Sequence, residues 1–323
     1  MSTSTLTRAD LSPNYAERVL ADGAFGNGLY DGFVGATAKD RRAALREARA
    51  TYAAFRAERG YAAQAARMLT RPESQAKLAK SERFALGLML TPERNASDAL
   101  RIITGRPMNL CPSASAGCAA ACLYTSGHGA FAKTQAARVV RTAFLFAHPY
   151  AAGVLIGSET RAALDAHGAD NVTLRLNVTS DIRWELVAPW VLSRIARAGV
   201  RIYDYTAWAP SKRAPQLIDG YALTYSAKET AHTSDAYLRA VLESGANVAM
   251  PFAIRKDEPL PATVNVGGRV FLCVDGDATD DRTTDPRGVD GGYVIALRAK
   301  GSAGKADESG FIRDPRRMAA TYA

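Results

Sequence analysis

The sequence predicts an α/β protein in which a partial or complete parallel, barrel-like sheet follows an α-helical N-terminal extension. Two observations predict this fold class. From about residue 159 onward, short apolar runs alternate with amphipathic helical segments, as in parallel strands joined by crossover helices. Before that point, apolar residues recur at the three- and four-residue spacing of helices. An open doubly wound sheet is the alternative, although no Gly-x-Gly-x-x-Gly motif follows a predicted strand.

The first third of the chain is predicted to be irregular and then helical. Five glycines interrupt residues 1–38, and because glycine favours turns we expect a loose lead-in there. A helix is predicted over residues 39–59, where Leu45, Tyr52 and Phe55 lie on one face and arginines on the other. Further helices are predicted over residues 62–69, 82–90 and 96–104.

The remainder is predicted to alternate between helices and strands. Helices are predicted over residues 131–147, 159–167, 186–198 and 234–244, with Gly199 and Gly245 at helix C-terminal positions. Strands are predicted over residues 172–178, 200–205, 221–225, 247–254, 263–266, 269–274 and 293–298. The predicted domains are an irregular and helical extension over residues 1–84, a cysteine-motif barrel-like domain over 85–301 and a tail over 302–323.

The chain is basic, with a net charge of +9 and a pI near 9.5. Its first 110 residues carry seventeen Lys and Arg against eleven Asp and Glu, which suits a nucleic acid or nucleotide partner. A solvated helical face would account for the same charges. No apolar run approaches the roughly 20 residues that span a bilayer. The polar N-terminus also lacks a signal-peptide core, so we expect a cytoplasmic protein without a membrane partner.

Three of the four cysteines lie close together, at Cys111, Cys118 and Cys122. Thiols are soft ligands for iron and zinc, and a short loop brings them together at little entropic cost. Cytoplasmic thiols stay reduced, which favours metal binding over disulfides. The chain has only one of the closely spaced cysteine pairs that structural zinc sites use. We therefore favour an iron–sulfur cluster of the [4Fe–4S] type, with zinc, or buried metal-free thiols, as the alternatives.

Cys273 stands apart in an apolar run that is typical of a strand. It is either a fourth metal ligand or an ordinary core thiol. With three thiolate ligands alone, one iron of a cluster would stay open to substrate or to S-adenosylmethionine, as in radical enzymes. The C-x3-C-x2-C signature of those enzymes is absent, so that analogy depends on architecture only.

Polar side chains follow three predicted strands. In parallel α/β folds, functional groups collect just beyond the carboxyl ends of the strands. Asp204 and Lys228 are charges at such ends, where burial requires a partner, and we predict catalytic roles for both. The predicted substrate-binding residues of this edge are Asn177, Ser180, Asp181, Tyr205 and Thr206. Capping of the following helices is the simpler explanation for the serine and aspartate.

An acidic stretch follows Cys273 in this basic chain. Asp275 and Asp277 are predicted to be catalytic because they would lie beside the cluster if Cys273 were a ligand, and Arg282 is predicted to bind substrate. The stretch is not an EF-hand, since an aspartate occupies the sixth position and a proline the twelfth. A magnesium or calcium site of another type, or a solvated turn, would also account for it.

The order of these motifs resembles the gene product 88 family of uncharacterised phage and mobile-element proteins. The cysteine run with the Leu-Tyr that follows it, the Ser-Gly-His-Gly stretch after it and the acidic motif around Asp277 carry the resemblance, which spans residues 85–301. It implies a phage or prophage setting, and thus the cytoplasm of a host cell. It marks residues 111–122 as a motif but implies no reaction or substrate.

The favoured function is a phage-type iron–sulfur α/β enzyme that acts on a nucleotide or a nucleic acid. One alternative is a non-catalytic nucleic-acid-binding protein with a structural zinc or iron–sulfur site. A phage structural or host-takeover factor is the other alternative. Sequence motifs for serine hydrolases, zinc proteases and P-loop proteins are absent.

Overall fold

The structure is a computed structural model of the chain. It describes residues 11–64, 66–75, 78–92, 101, 105, 107–122, 124, 127–230, 234–288, 291–301, 304 and 306–318. Within these ranges, nine strands form one sheet. Their bounds are β1 Leu69–Thr70, β2 Phe84–Leu88, β3 Val172–Arg175, β4 Val200–Thr206, β5 Ala222–Ser226, β6 Val248–Phe252, β7 Thr263–Val266, β8 Arg269–Asp275 and β9 Val294–Arg298.

The sheet is mostly parallel, and its order is β1-β2-β3-β4-β5-β6-β9-β8-β7. Strands β2 to β6, β9 and β8 run parallel, whereas β1 and β7 pair antiparallel at the two edges. The parallel α/β sheet is confirmed, but the barrel-like closure is not, because β1 and β7 each have one partner in the described part of the chain. After β6 the chain forms the β7–β8 hairpin and inserts β9 beside β6, so none of the nine described strands bridges the two edges.

Helices cover the sheet and form the N-terminal region. Their bounds are α1 Tyr15–Asp22, α2 Phe25–Phe33, α3 Ala38–Glu58, α4 Ala116–Ala120, α5 Ala132–Ala147, α6 Pro149–His167, α7 Trp184–Val187, α8 Pro189–Arg197 and α9 Asp235–Glu243. The helices predicted over 39–59, 131–147 and 234–244 are confirmed. Gly199 and Gly245 follow α8 and α9 with φ of 98° and 87°, the backbone conformation that glycine adopts at helix ends.

Two predicted helices near the N-terminal edge of the sheet are wrong. The segment 82–90 contains strand β2, whose Ala85, Leu86 and Leu88 are fully buried. A short apolar run buried on both faces has no periodicity that separates strand from helix. Residues 62–64 and 66–68 form turns, bends and irregular backbone instead of the predicted helix, and Leu69 begins β1. Most of the helix predicted over residues 96–104 lies outside the described residues.

The predicted irregular lead-in is instead helical over α1 and α2. Asn14 and Glu17 form a capping box that starts α1. Helix α2 approaches α6 so closely that a Cβ on Gly28 would lie 2.8 Å from the carbonyl carbon of Tyr150. A Cβ on Gly153 of α6 would likewise meet the backbone of α2. These glycines therefore permit close helix packing instead of forming turns, which is why the prediction was wrong.

Helices α5 and α6 pack against the same large apolar core as the sheet. Phe144 of α5 and Ile156 of α6 are fully buried in it, together with Leu174 of β3 and Met250 of β6. Within the described ranges no single helix is both long and apolar enough to cross a membrane. Helices α5 and α6 pass that test only as a pair, and the pair is bent by 119° at its junction.

Candidate functional site

A cavity of about 250 Å³ opens at the carboxyl ends of the parallel strands. The terminal residues of four strands line it: Arg175 of β3, Thr206 of β4, Ser226 of β5 and Arg298 of β9. This edge is where ligands bind in open α/β sheets. We call Cys111, Cys118 and Cys122 the thiol wall of the cavity, and Arg175, Arg298 and Lys300 its cationic wall.

The thiol wall is built by a loop and the short helix α4, which follow β2 in the chain. The Ser115 hydroxyl caps α4 and accepts a hydrogen bond from the Cys118 N–H at 3.2 Å. Cys122 lies just beyond the C-terminal end of α4. Cys111 precedes the helix, and its Sγ lies 3.8 Å from the Thr179 carbonyl oxygen. These local contacts place all three side chains against one cavity.

Lys228 ties the cysteine loop to the end of β4. Its ammonium group donates to the Ser113 carbonyl at 2.8 Å and to the Ala207 carbonyl at 2.7 Å. Burial lowers the pKa of Lys228, against the opposing effect of Asp181. The side chain does not line the cavity. Its contacts are those of a tether, and its predicted catalytic role stays a prediction.

Glu229 holds the same loop beside Lys228, and sequence reasoning missed it as a site residue. Its carboxylate accepts from the Ser115 hydroxyl at 2.5 Å and from the Gly117 N–H at 2.7 Å. A Cβ on Gly117 would lie 2.6 Å from the Cβ of Phe311, because the C-terminal segment packs directly on the loop. The loop is therefore held between the end of β5 and the C-terminal segment.

The Cys118 thiol is protonated at neutral pH in the metal-free chain. Burial raises the pKa of Cys118 to about 12, and nearby Cys122, Glu229 and Asp181 add to the increase. A metal binds the thiolate form, so metal loading must displace this proton. Among the described residues, no three His, Cys, Asp or Glu side chains are arranged to hold a single metal ion.

Cys273 lies away from the thiol wall, in β8. It pairs with Val294 of β9, and its N–H donates to the Ala262 carbonyl at 2.8 Å. The side chain packs against the apolar core, and burial raises the pKa of Cys273 to about 12. It does not line the cavity. These are the contacts of a core thiol, and they give no support to the predicted role as a fourth ligand.

The predicted site residues divide into two groups. Those that line the cavity are Cys111, Cys118, Cys122, Asn177, Ser180, Asp181, Tyr205 and Thr206. Those that do not line it are Asp204, Lys228, Cys273, Asp275, Asp277 and Arg282. The three cysteines of the first group belong to the loop and α4, and its other five residues lie at or after the ends of β3 and β4. Most of the second group supports the cavity from behind.

Asn177 organises the turn that follows β3. Its side-chain oxygen accepts from the Ser180 hydroxyl at 3.0 Å, from the Ile182 N–H at 2.9 Å and from the Trp184 indole at 3.1 Å. Its own N–H donates to Asp204 at 2.6 Å. With its side-chain oxygen occupied in this way, Asn177 shapes the cavity edge chiefly through the turn that it fixes.

Asp181 is the one predicted carboxylate that lines the cavity. It accepts from the Ala207 N–H at 2.7 Å and pairs with Arg213 at 3.3 Å. Burial raises the pKa of Asp181 to about 6, although Arg213 acts to lower it. A carboxyl group in such a position is of the type that exchanges protons with bound substrates.

Asp204 is fully buried beneath the cavity. It accepts from the Asn177 N–H at 2.6 Å and from the Tyr221 hydroxyl at 2.8 Å. Burial raises the pKa of Asp204 to about 7. An acid held in this way supports the strand ends, and nothing in its geometry brings it to the cavity contents. Its predicted catalytic role stays a prediction.

The acidic stretch after β8 supports the cationic wall. Asp277 lies 2.6 Å from the Lys300 ammonium and accepts from the Arg298 N–H at 2.9 Å. Asp275 lies 3.7 Å from the Arg298 guanidinium. Arg282 is buried and pairs with a carboxylate of the same stretch, Asp285, at 3.3 Å. These contacts place the stretch behind Arg298 and Lys300, away from the thiols.

Sequence reasoning missed the cationic wall. Arg175 was not recognised as a strand-end residue because the predicted strand ran to residue 178. That prediction placed the arginine in the middle of the strand, whereas β3 ends at Arg175. Arg298 is the last residue of β9, and Lys300 follows two residues later. The rule that functional groups lie at or just beyond strand ends would have found both.

The comparisons with known proteins fit this layout. A sequence model described as "Gene product 88" matches residues 64–315, well over half of the chain. The chain belongs to the gene product 88 family. The matched region contains the whole nine-stranded sheet, both cavity walls and the Lys228–Glu229 tether, whereas α1 to α3 precede it. The comparisons with curated proteins and with solved structures found no match.

Proposed function

We propose that this gene product 88 protein is an iron–sulfur enzyme of phage or prophage origin that acts on a nucleotide or nucleic acid in the strand-end cavity. The observation that carries the proposal is the shared cavity: three thiols and the polar strand ends of a parallel sheet line one space. Convergence of soft ligands with strand-end polar groups is what a metal-dependent α/β enzyme needs.

An iron–sulfur cluster, and not zinc, is the metal group that we propose for these thiols. A zinc ion needs its sulfur ligands about 2.3 Å away around one point. No such group of three side chains occurs among the described residues. A cluster carries its own sulfide bridges and holds its cysteines further apart. The Tyr124 N–H donates to Cys122 Sγ at 3.5 Å, the kind of hydrogen bond that tunes cluster thiolates.

The chain's own residues take distinct roles in this proposal. Cys111, Cys118 and Cys122 hold the cluster, which supplies a redox or Lewis-acid centre when it is bound. Lys228 and Glu229 position the loop that carries these thiols. Asp181 faces the same space as the thiols and accepts or donates a proton there.

Anaerobic purification of the full chain, followed by iron, zinc and sulfide analysis and an absorption spectrum, tests the proposal. A brown protein with iron and acid-labile sulfide in similar amounts is the expected result. A colourless protein that contains zinc, or neither metal, would overturn it.

A second candidate function, nucleic-acid binding without catalysis, is favoured by the N-terminal region. Arg42, Arg46 and Arg49 are exposed along one face of α3, and we call them the basic helix face. A second cavity of about 170 Å³ beside it is lined by Arg49, Arg67 and Arg71. Such a surface suits contact with phosphates.

Salt dependence separates the two candidates. For a binder that uses the basic helix face, Arg42→Gln with Arg46→Gln should lower affinity for single- and double-stranded nucleic acid and reduce the slope of affinity against salt. The matched double variant Arg316→Gln with Arg317→Gln, also exposed, should leave both unchanged. Equal effects of the two double variants would remove this candidate.

A further inference from the structure

We propose that the cationic wall binds an anionic group of the substrate, a phosphate or a carboxylate, and holds it opposite the thiol wall. This inference deepens the proposed function and rests on it for the nucleotide character of the substrate. The anion site itself is argued from residues that the metal hypothesis does not use.

The charges that face the cavity are mostly positive. Its charged lining residues are Arg175, Asp181, Arg298 and Lys300. The carboxylates that partner the cationic wall, such as Asp277, lie behind it and do not line the cavity. A ligand in the cavity therefore meets three cations and one carboxylate, and that carboxylate already pairs with a buried arginine.

Arg175 is built into the sheet as a fixed donor. It is 4% exposed, and its Nη1 donates to Asp280 at 2.8 Å. Its guanidinium also lies over the Tyr205 ring, 4.8 Å from the centroid. Its Nε has no hydrogen-bond partner among the described residues. That nitrogen is buried from solvent, so Arg175 contributes its positive charge, and not this N–H, to the cavity.

Arg298 repeats this pattern on the neighbouring side. Its Nη1 lies 3.4 Å from Asp277, a long contact for an ion pair, and its Nε is buried without a partner in the described part of the chain. Lys300 is closer to Asp277, at 2.6 Å, and its side chain is 40% exposed. Asp275 lies 3.7 Å from the Arg298 guanidinium, so both contacts of this guanidinium with carboxylates are long, and it can still pair with an incoming anion. Guanidinium groups bind carboxylates and phosphates through paired hydrogen bonds.

The floor of the cavity suits the uncharged body of such a substrate. Between the two walls it is lined by the small or apolar residues Ala207, Ala227, Ala249, Pro251 and Leu297. A flat apolar ring can lie on this surface with its anionic group on the cationic wall. A nucleoside that carries a phosphate or a carboxylate has both parts.

Calorimetric titration of the anaerobically purified full chain tests the inference with three probes. AMP carries a phosphate, adenosine-5'-carboxylate a carboxylate, and adenosine neither. We expect AMP or adenosine-5'-carboxylate to bind at least about tenfold more tightly than adenosine, because a charge-assisted contact is gained. Whichever of these two anionic probes binds more tightly identifies the anionic group of the substrate as a phosphate or a carboxylate. Equal binding of all three probes, or binding of none, overturns the inference.

Substitutions in the cationic wall test whether its residues cause the preference for an anionic probe. Arg298→Gln and Lys300→Gln should each reduce the preference for the anionic probe about tenfold. Arg255→Gln, an exposed arginine away from the cavity, should leave it unchanged. Thermal unfolding checks the fold of each variant, and Lys300→Gln carries the test if Arg298→Gln does not fold. An unchanged preference in folded Lys300→Gln and Arg298→Gln overturns the inference.

The metal content of the same samples separates this inference from the proposed function. A sample without iron and sulfide that still prefers the anionic probe overturns the proposed function and supports the anion site. A sample with its cluster but without that preference overturns the anion site alone.

Discussion

The two walls of the cavity are built in different ways. The thiol wall is a loop and one short helix, held by a hydrogen bond that Lys228 donates and by others that Ser115 and Glu229 accept. The cationic wall consists of residues at or just beyond the ends of strands, held by ion pairs to carboxylates behind the sheet. Soft thiol ligands and cationic side chains thus line the same cavity.

Because they are built differently, we expect the thiol wall and the cationic wall to have different roles in the site. A loop with local ligands can adapt around a metal, and the raised pKa of Cys118 means that this thiol must lose a proton before it binds one. Arginine at a strand end is charged at every relevant pH and is fixed by the sheet. We therefore expect the thiol wall to respond to metal loading and the cationic wall to be preformed.

The largest expected effect comes from the cationic wall. Arg175→Met leaves the buried Asp280 without its 2.8 Å partner, and we expect a loss of about 3–5 kcal/mol in the free energy of unfolding. The matched variant Arg161→Met breaks an exposed pair with Asp165 and should cost less than about 1 kcal/mol. Urea unfolding of both measures the difference. Similar losses of unfolding free energy in the two variants would mean that buried ion pairs do not hold the cationic wall in place.

The next effect concerns the thiol wall. Glu229→Ala removes the acceptor of the Ser115 hydroxyl and the Gly117 N–H, so we expect a loss of about 2–3 kcal/mol. Because the loop loosens, iron bound per chain should also fall. Glu308→Ala, at an exposed position, is the control. Full iron content in Glu229→Ala would show that the loop needs no such support.

Lys228 distinguishes a tether from a catalytic residue. Lys228→Met leaves the carbonyls of Ser113 and Ala207 without their donor, so thermal stability should fall, by about 1–2 kcal/mol. Bound iron should fall with it. A variant as stable and as iron-rich as the wild type, but without turnover, would support the catalytic prediction for Lys228 instead.

The last prediction is a pH dependence of stability that arises beneath the cavity. The pKa of Asp204 is about 7 in the folded chain, above its ordinary value of 3.8, so the folded state keeps a proton that the unfolded state has lost. Its contribution to stability is fully present below about pH 4 and is lost as the pH rises through about 7. Asp204→Asn should therefore flatten stability against pH in this window. Parallel curves for variant and wild type would contradict the raised pKa.

Most of the sheet could be predicted from the sequence. The strands from β3 to β9 are short apolar runs separated by amphipathic helices or turns. These patterns give the type of each element and its place along the chain. The cysteine loop was recognisable because three thiols in one short segment are unusual in a chain with four. Polar residues at strand ends located five more of the side chains that line the cavity: Asn177, Ser180, Asp181, Tyr205 and Thr206.

The rest could not be predicted because it depends on long-range packing. Gly28 and Gly32 suggest turns when seen alone, and only the close approach of α6 explains them. The sequence of strand β2 has no periodicity that separates a strand from a helix, because both faces of the strand are buried. The partnership of Asp277 with Arg298 and Lys300 joins elements whose register is set by insertion of β9 between β6 and β8.

Iron and sulfide content of four single variants tests the central claim most directly. Cys111→Ser, Cys118→Ser and Cys122→Ser should each lose most of the iron, sulfide and visible absorption of the wild type, whereas Cys273→Ser should keep them. Loss in Cys273→Ser equal to that in Cys118→Ser, or full retention in all four variants, would contradict a cluster on the thiol wall.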